Sequence, residues 1–331
     1  MRALVCDQLG DPSLLKIETR PIPRPKKDEV IVQVGAAAVN FPDVLMVAGG
    51  YQHKPELPFI PGMEGAGRVL AVGKDVIDWR KGDCVIFGVR PGAFAEYVRV
   101  PDKDSQLMAL PMGWSWAEGA GFRVAAKTAY HSLVHRAAVK KGDVLLVHGA
   151  SGGVGLAAVQ LGKHLGATVI ATGSDDARLA IVKDHGADHV VNYRDADFVA
   201  AVKGLTGGHG ADVIYDPVGG EVLEKSLRAA AYGARLLIVG FTSGEPSKIM
   251  SNLVLIKAMS VLGVRAGETI ARLSPELGND YIIELPKLAA LGVMRPHISH
   301  RFPMEKAADA FRALIDRKVV GKAVIEMGVS A

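Results

Sequence analysis

From Asp143 onward the chain settles into a rhythm: short apolar runs bounded by glycine or charge alternate with longer amphipathic stretches. Short apolar runs in that setting are strands buried on both faces, and the stretches between them are crossover helices, which together make βαβ units and a parallel sheet. Strands are expected at residues 144–148, 168–172, 189–192, 212–216, 235–240 and 260–264. Six such strands make a doubly wound sheet. The helix after the first strand puts Val154, Ala158, Leu161 and Leu165 on one face, at offsets of four, three and four, which suits packing against that sheet.

Between that first strand and its helix lies the turn Gly149-Ala150-Ser151-Gly152-Gly153-Val154-Gly155. Small residues there let the backbone approach a pyrophosphate, and the helix N-terminus supplies N–H donors and the positive end of a dipole. Ala150 stands where the first glycine of GxGxxG would be, and Gly149 before it relieves the turn. A lone glycine pattern is weak, but this one follows a buried strand and opens an amphipathic helix, so it reads as a dinucleotide site. Ser151, Gly152, Gly153 and Val154 are its candidate contacts.

The choice of nicotinamide is made at the end of the second strand, where a carboxylate about 20 residues on would bind the ribose 2′-hydroxyl of NAD. Nineteen residues beyond Gly155 stands Ser174, with Arg178 four further on. A hydroxyl and a guanidinium suit a 2′-phosphate, so NADPH is the expected cofactor. Asp175 and Asp176 leave a second possibility open: either reaches a ribose if the turn is placed one residue differently, or both are helix N-terminal charges.

The first hundred residues read differently. Runs at 30–34, 67–72, 84–87 and 94–100 are short, β-branched and separated by proline and glycine, as in an all-β unit that could form a partly open barrel. Pro21, Pro23 and Pro25 mark an extended connection, because proline lacks the ladder donor. After Gly267 the chain is helical and then strand-like over 319–327, so the tail is expected to return to the N-terminal unit. A chain of 331 residues accommodates two domains.

Composition narrows the classes. The apolar runs are far below the ~20 residues of a bilayer span. With no secretory pattern at its start, the chain is expected to be cytoplasmic. Cys6 and Cys84 are too few and too separated for a disulfide framework or a CxxC motif. The net charge of +4 is scattered, and the pairs Lys26, Lys27 and Lys140, Lys141 form no basic stripe, so no nucleic-acid partner is expected. Ser151 has no GxSxG elbow around it, and His131 and His148 read as structural.

Seven segments, NFPD (40–43), PGMEGAG (61–67), 82–85, TAYH (128–131), ASGGVG (150–155), GADHVVNY (186–193) and YDPVGG (215–220), run essentially from end to end. In these the chain resembles the zinc-independent quinone oxidoreductases, of zeta-crystallin type, of the medium-chain dehydrogenase/reductase superfamily. The resemblance implies a GroES-like β-rich substrate domain, residues 1–124 and 266–331, around an inserted Rossmann domain, residues 125–265. It implies an active site in the cleft between them and a homodimer joined through edge strands at residues 260–264. Asn40, Asp43 and Tyr51 would lie near nicotinamide and substrate. Thr128, Phe241, Ser243 and Val264 would line the cofactor path, with Tyr193 alongside the adenosine.

Where zinc-dependent members of that superfamily hold their catalytic metal with Cys, His and Cys, the matching residues here are Asn40, Met63 and Ala120, none of which replaces a thiolate or imidazole. No metal is therefore expected. Without a Lewis acid an unactivated alcohol is a poor substrate, whereas a quinone or enone takes incoming hydride charge onto its own oxygen. The expected activity is NADPH-dependent reduction of such a conjugated small-molecule carbonyl, with Asn40 and Tyr51 as orienting donors.

One departure bears on this. Ala125, Ala126 and Lys127 replace the Thr-Tyr-Gly common before TAYH, and Arg123 stands close by. Either both cations point to solvent, or they line the pocket and favour an enoyl-CoA thioester. An NADPH-binding protein without catalysis, or one that binds RNA as some zeta-crystallin relatives do, is the reading from another class.

Overall fold

The first third of the chain folds as strands because its β-branched residues come in runs too short for helices and are interrupted by glycine and proline. In chain order these are β1 (Arg2–Val5), β2 (Lys16–Thr19), β3 (Glu29–Val39), β4 (Glu64–Val72), β5 (Cys84–Gly88), β6 (Tyr97–Pro101) and β7 (Leu107–Ala109), with the short helix α1 (Phe41–Val47) after β3. The computed structural model describes residues 1–102, 106–272 and 277–328. β3 runs past the expected end at Val34, through Gly35 and the buried alanines 36–38 to Val39. Small residues do not announce a strand, yet here they continue the ladder with β4 from Val34↔Gly67 to Ala37↔Gly65. β6 begins at Tyr97 rather than Phe94, whose backbone instead bonds Leu4 and Pro61.

Helix α2 (Trp116–Tyr130) leads into the second unit. There the expected alternation appears as β8 (Val144–Val147), α3 (Gly153–His164), β9 (Thr168–Gly173), α4 (Asp176–Asp184), β10 (His189–Asn192), α5 (Phe198–Leu205), β11 (Ala211–Asp216), α6 (Gly220–Ala229), β12 (Ala230–Ile238), α7 (Ser251–Ile256) and β13 (Ser260–Gly263). Among the described residues these six strands form one parallel sheet in the order β10-β9-β8-β11-β12-β13. Leu146, Ile170, Ile214 and Leu236 on the strands pack with Phe198, Val202, Leu223 and Leu227 on the helices. Burying each such side chain contributes about 1.5–3 kcal/mol. β12 starts earlier than its apolar run because Ala230 already pairs with Ala211, ahead of an irregularity in register.

Helices α8 (Ala266–Arg272), α9 (Leu277–Ala290) and α10 (Ala307–Ile315) and strands β14 (Ile298–Pro303) and β15 (Lys322–Glu326) complete the chain. β15 pairs antiparallel with β3, so the tail joins the N-terminal sheet, whose order is β14-β15-β3-β4-β5-β7 with β6 also on β3. Phe94 and Phe311 meet edge to face at 5.8 Å in its core. The chain thus consists of a GroES-like β-rich unit and a Rossmann unit. The compact units are Met1–Val124 with Glu276–Ala331, and Ala125–Pro275. α8, placed by sequence with the returning tail, stays in the second unit. Among the described residues no helix is long and apolar enough to cross a membrane.

Candidate functional site

The glycine turn is shaped by close backbone approach. Beyond β8 the His148 N–H still reaches the Tyr215 carbonyl (3.0 Å), and the chain then reverses at Gly149 with φ +54°. Gly152 is the N-cap of α3, with φ −78° and ψ 165°. A Cβ on Gly155 would run into the Gly149 carbonyl oxygen, so only glycine lets the helix start this close to the strand. The first N–H groups of α3 have no partner within the helix. Because β8 lies between β9 and β11, the turn sits where the strand order reverses, the usual ligand position of an open α/β sheet. Gly149 abuts Pro217 and Val218 in the turn after β11, and Asp216 closes that turn by accepting from the N–H groups of Val218 (2.6 Å) and Gly219 (2.9 Å). Ser151, Gly152, Gly153 and Val154 therefore form a cradle that fits a pyrophosphate.

At the end of β9 three expected residues come together. Ser174 follows Gly173 directly, Arg178 lies in the first turn of α4, and the Tyr193 N–H continues the ladder onto the Gly173 carbonyl (3.0 Å). Asp175 is the N-cap of α4, its carboxylate accepting the Arg178 N–H (2.9 Å), and Asp176 accepts from the Asn192 amide (3.0 Å). Both carboxylates serve the local fold, as their position at a helix N-terminus favours.

Phe241 and Ser243 occupy the loop after β12, which the N–H groups of Thr242 and Ser243 tie to the carbonyls of Pro217 (3.1 Å) and Val218 (2.9 Å). The Val264 N–H reaches the Ile238 carbonyl (3.0 Å) just beyond β13. These three thus gather around the carboxyl ends of β11, β12 and β13. Thr128 lies near the end of α2, its carbonyl accepting the Ser132 hydroxyl (2.7 Å), where the helix widens into a π-helical turn, His131–Arg136. Sequence did not foresee that turn, a form frequent at functional sites. Burial, reinforced by His135, Arg136 and Lys127, lowers the His131 imidazole to about 4, so it is neutral at physiological pH. His148 bridges the hydroxyls of Thr172 and Ser226 at 2.7 Å each, pinning β8 to β9 and α6.

Asn40, Asp43 and Tyr51 lie in the first unit. Asn40 caps α1, and its backbone N–H donates to Asp43 Oδ2 (2.8 Å). Asp43 is fully buried and its Oδ1 has no hydrogen-bond partner among the described residues. Burial pushes its carboxyl up to about 7, the Asn40 N–H and Lys322 ammonium opposing and Glu64 adding to the rise. Tyr51, half-buried, packs against the core of this unit.

The Asn40 amide meets residues that sequence reading missed. Its Nδ2 donates to Glu64 Oε1 (2.9 Å), while Lys322 Nζ donates to Asn40 Oδ1 (2.6 Å) and Glu64 Oε1 (2.8 Å). Glu64 Oε2 accepts the Val124 N–H (2.7 Å). Arg123 is buried as well, against Gly88, where a Cβ would collide with its guanidinium. Burial lowers it to about 10, opposed by Glu64, so it stays charged. Of the two alternatives open for Arg123, exposure to solvent is excluded: a glycine opposite leaves it room and a buried carboxylate offsets its charge. The available signals were a lysine, Lys322, set between apolar residues at 319–325, and a glutamate, Glu64, opening a buried strand.

The family model described as "Alcohol dehydrogenase GroES-like domain" matches residues 26–112, and that described as "Zinc-binding dehydrogenase" matches residues 153–279. The quinone oxidoreductase-like protein 2 homolog of Nematostella vectensis is 35% identical over 98% of this chain and 88% of its own. Human quinone oxidoreductase is 33% identical, covering 95% of this chain and 94% of that protein. The chain belongs to the quinone oxidoreductase family. Escherichia coli quinone oxidoreductase, solved in complex with NADPH, superposes with a TM-score of 0.89 at 28% identity, over 99% of this chain and all of that one. As a quinone oxidoreductase-family member of the medium-chain dehydrogenase/reductase superfamily, the chain is an oxidoreductase. Among the described residues of this family member, no three His, Cys, Asp or Glu side chains are grouped to hold a metal ion.

Proposed function

We propose that this chain uses NADPH to reduce a conjugated small-molecule acceptor, a quinone or enone, and that it does so without zinc. The observation that carries the reading is the Asn40 amide, held by Lys322 and Glu64 at the position where the superfamily's metal enzymes carry a thiolate. An amide so held is a hydrogen-bond donor, not a zinc ligand, and Met63 and Ala120 add none. The NADPH reading is supported by Ser174 and Arg178, with Asp175 engaged as a helix cap.

NADPH, when bound, supplies hydride from nicotinamide C4. The N-terminus of α3 with Ser151, Gly152, Gly153 and Val154 would hold its pyrophosphate, Ser174 and Arg178 its 2′-phosphate, and Tyr193 its adenosine. Thr128, Phe241, Ser243 and Val264 would flank the remainder. Asn40 and Tyr51 orient the acceptor and donate to the oxygen on which negative charge develops. Asp43, fully buried, acts through the Asn40 backbone. Arg123, one of the two cations behind a thioester substrate, is buried against Gly88 with its charge offset by Glu64. A homodimer through β13 accords with that strand's place at the sheet edge, next in sequence to the exposed Leu255 and Ile256.

The test is NADPH consumption with phenanthrenequinone, a small enone, an enoyl-CoA and a simple aldehyde. Quinone or enone turnover well above the other two supports the reading. Dominant enoyl-CoA turnover would replace it with the thioester reductase.

A further inference from the structure

The ion pair between Lys322 and Glu64 is almost wholly withdrawn from water, at 5% and 0% relative exposure, and Asn40 between them is at 6%. The sheet explains how residues so far apart in sequence meet. β15 and β4 flank β3, with Ala323 opposite Val39 and Gly65 opposite Ala37. Lys322 and Glu64 each open their strand beside the end of β3, and Asn40 is the next residue after it. Such a pair is a poor device for stability. Desolvating two charges costs several kcal/mol each, and well-packed apolar residues often serve as well or better.

What the pair does accomplish is to set the amide. Lysine only donates and an ionised carboxylate only accepts, so Asn40 Oδ1 must face Lys322 and Nδ2 must face Glu64; the amide has no flipped alternative. One Nδ2 hydrogen is taken by Glu64, while the other meets, among the described residues, the Ala38 carbonyl at 3.5 Å, the outer limit of a hydrogen bond. An ammonium on Oδ1 also draws charge across the planar amide and makes the remaining N–H a stronger donor.

We propose that Lys322 is a positioning residue for hydride transfer, fixing and polarising the Asn40 amide so that its second N–H meets the acceptor oxygen as charge develops there. This rests on the reading of Asn40 as the acceptor's donor. Lys322 does not itself touch the acceptor; it acts through Asn40, opposed by Glu64.

The experiment is a double-mutant cycle on the full chain with NADPH and the best acceptor, combining Lys322→Met with Asn40→Ala. Lys322→Met is expected to lower kcat at least about tenfold, short of the roughly 100- to 1,000-fold loss when an oxyanion donor is removed outright. KM for NADPH should stay within about twofold, because the cofactor cradle lies in the other unit. In the Asn40→Ala background the same change should cost less than about threefold, since its target is gone. Lys322→Arg should restore a large part of kcat. If Lys322→Met alone does not fold, because the buried Glu64 loses its ammonium partner, Lys322→Met with Glu64→Gln is read instead and should show the same kcat loss. A wild-type kcat in either variant, or losses that multiply with Asn40→Ala, overturns the inference. Wild-type protein that binds NADPH and turns over no acceptor overturns the functional reading and this inference together, which separates the two failures.

Discussion

Arg178 stands on the first turn of α4 beside Ser174, and its backbone N–H donates to the Asp175 carboxylate that caps the helix. Replacing it with alanine should weaken NADPH binding by about tenfold or more, in line with roughly 1.5–3 kcal/mol for a charge-assisted hydrogen bond, and leave NADH nearly unchanged. Titration calorimetry with both cofactors checks this, and an equal loss for the two would remove Arg178 from the phosphate site. Asp43 gives a second expectation. Its folded carboxyl sits near 7, above the ordinary 3.8, so the folded protein holds this proton more tightly than the unfolded chain. Its contribution to stability is then full below about 4 and is lost as pH rises through about 7. Asp43→Asn should remove that dependence, so its stability relative to wild type should climb across this window in urea unfolding; a constant difference would refute it. Asn40 and Asp43 were legible in NFPD because they are neighbours in a motif. Glu64, Arg123 and Lys322 were not: a lone charge looks solvated until the sheet reveals its partner, here 258 residues away.

The βαβ rhythm was legible at the level of elements because burial on both faces makes each strand a continuous apolar run, and each helix shows its own period. Boundaries set by small residues or pairing were not: β3 continues through alanines, and β12 begins where Ala230 meets Ala211. The π-helical turn after α2 leaves no mark in hydropathy. Two glycines in helices of the Rossmann unit separate close approach from mere permissiveness. At Gly155 a Cβ would strike the Gly149 carbonyl, so Gly155→Ala should cost about 2–4 kcal/mol through overpacking and lower NADPH affinity at least tenfold. Gly204, exposed in α5 with open space around it, should instead gain up to about 1 kcal/mol as alanine, with cofactor affinity unchanged. Thermal unfolding and NADPH fluorescence on the pair test both statements; similar behaviour of the two variants would dissolve the distinction.

For the whole molecule, the proposed homodimer uses β13, the edge strand of the second sheet among the described residues. Leu262→Arg should convert a dimer into monomers by light scattering while NADPH binding persists, and a wild-type mass would place any dimer contact elsewhere. The two-unit organisation was legible because strand-rich and alternating stretches follow each other in the chain and the tail reads as a returning strand. The acceptor was not, since it depends on how side chains distant in sequence are juxtaposed. The proposed reduction needs NADPH and no metal. Its most direct test follows NADPH absorbance with phenanthrenequinone and a small enone, using protein dialysed against chelator and verified free of zinc. Undiminished turnover, faster with NADPH than NADH by about tenfold or more, is the predicted result. Bound NADPH with no turnover of either acceptor, or turnover lost on chelation and restored by zinc, would contradict it.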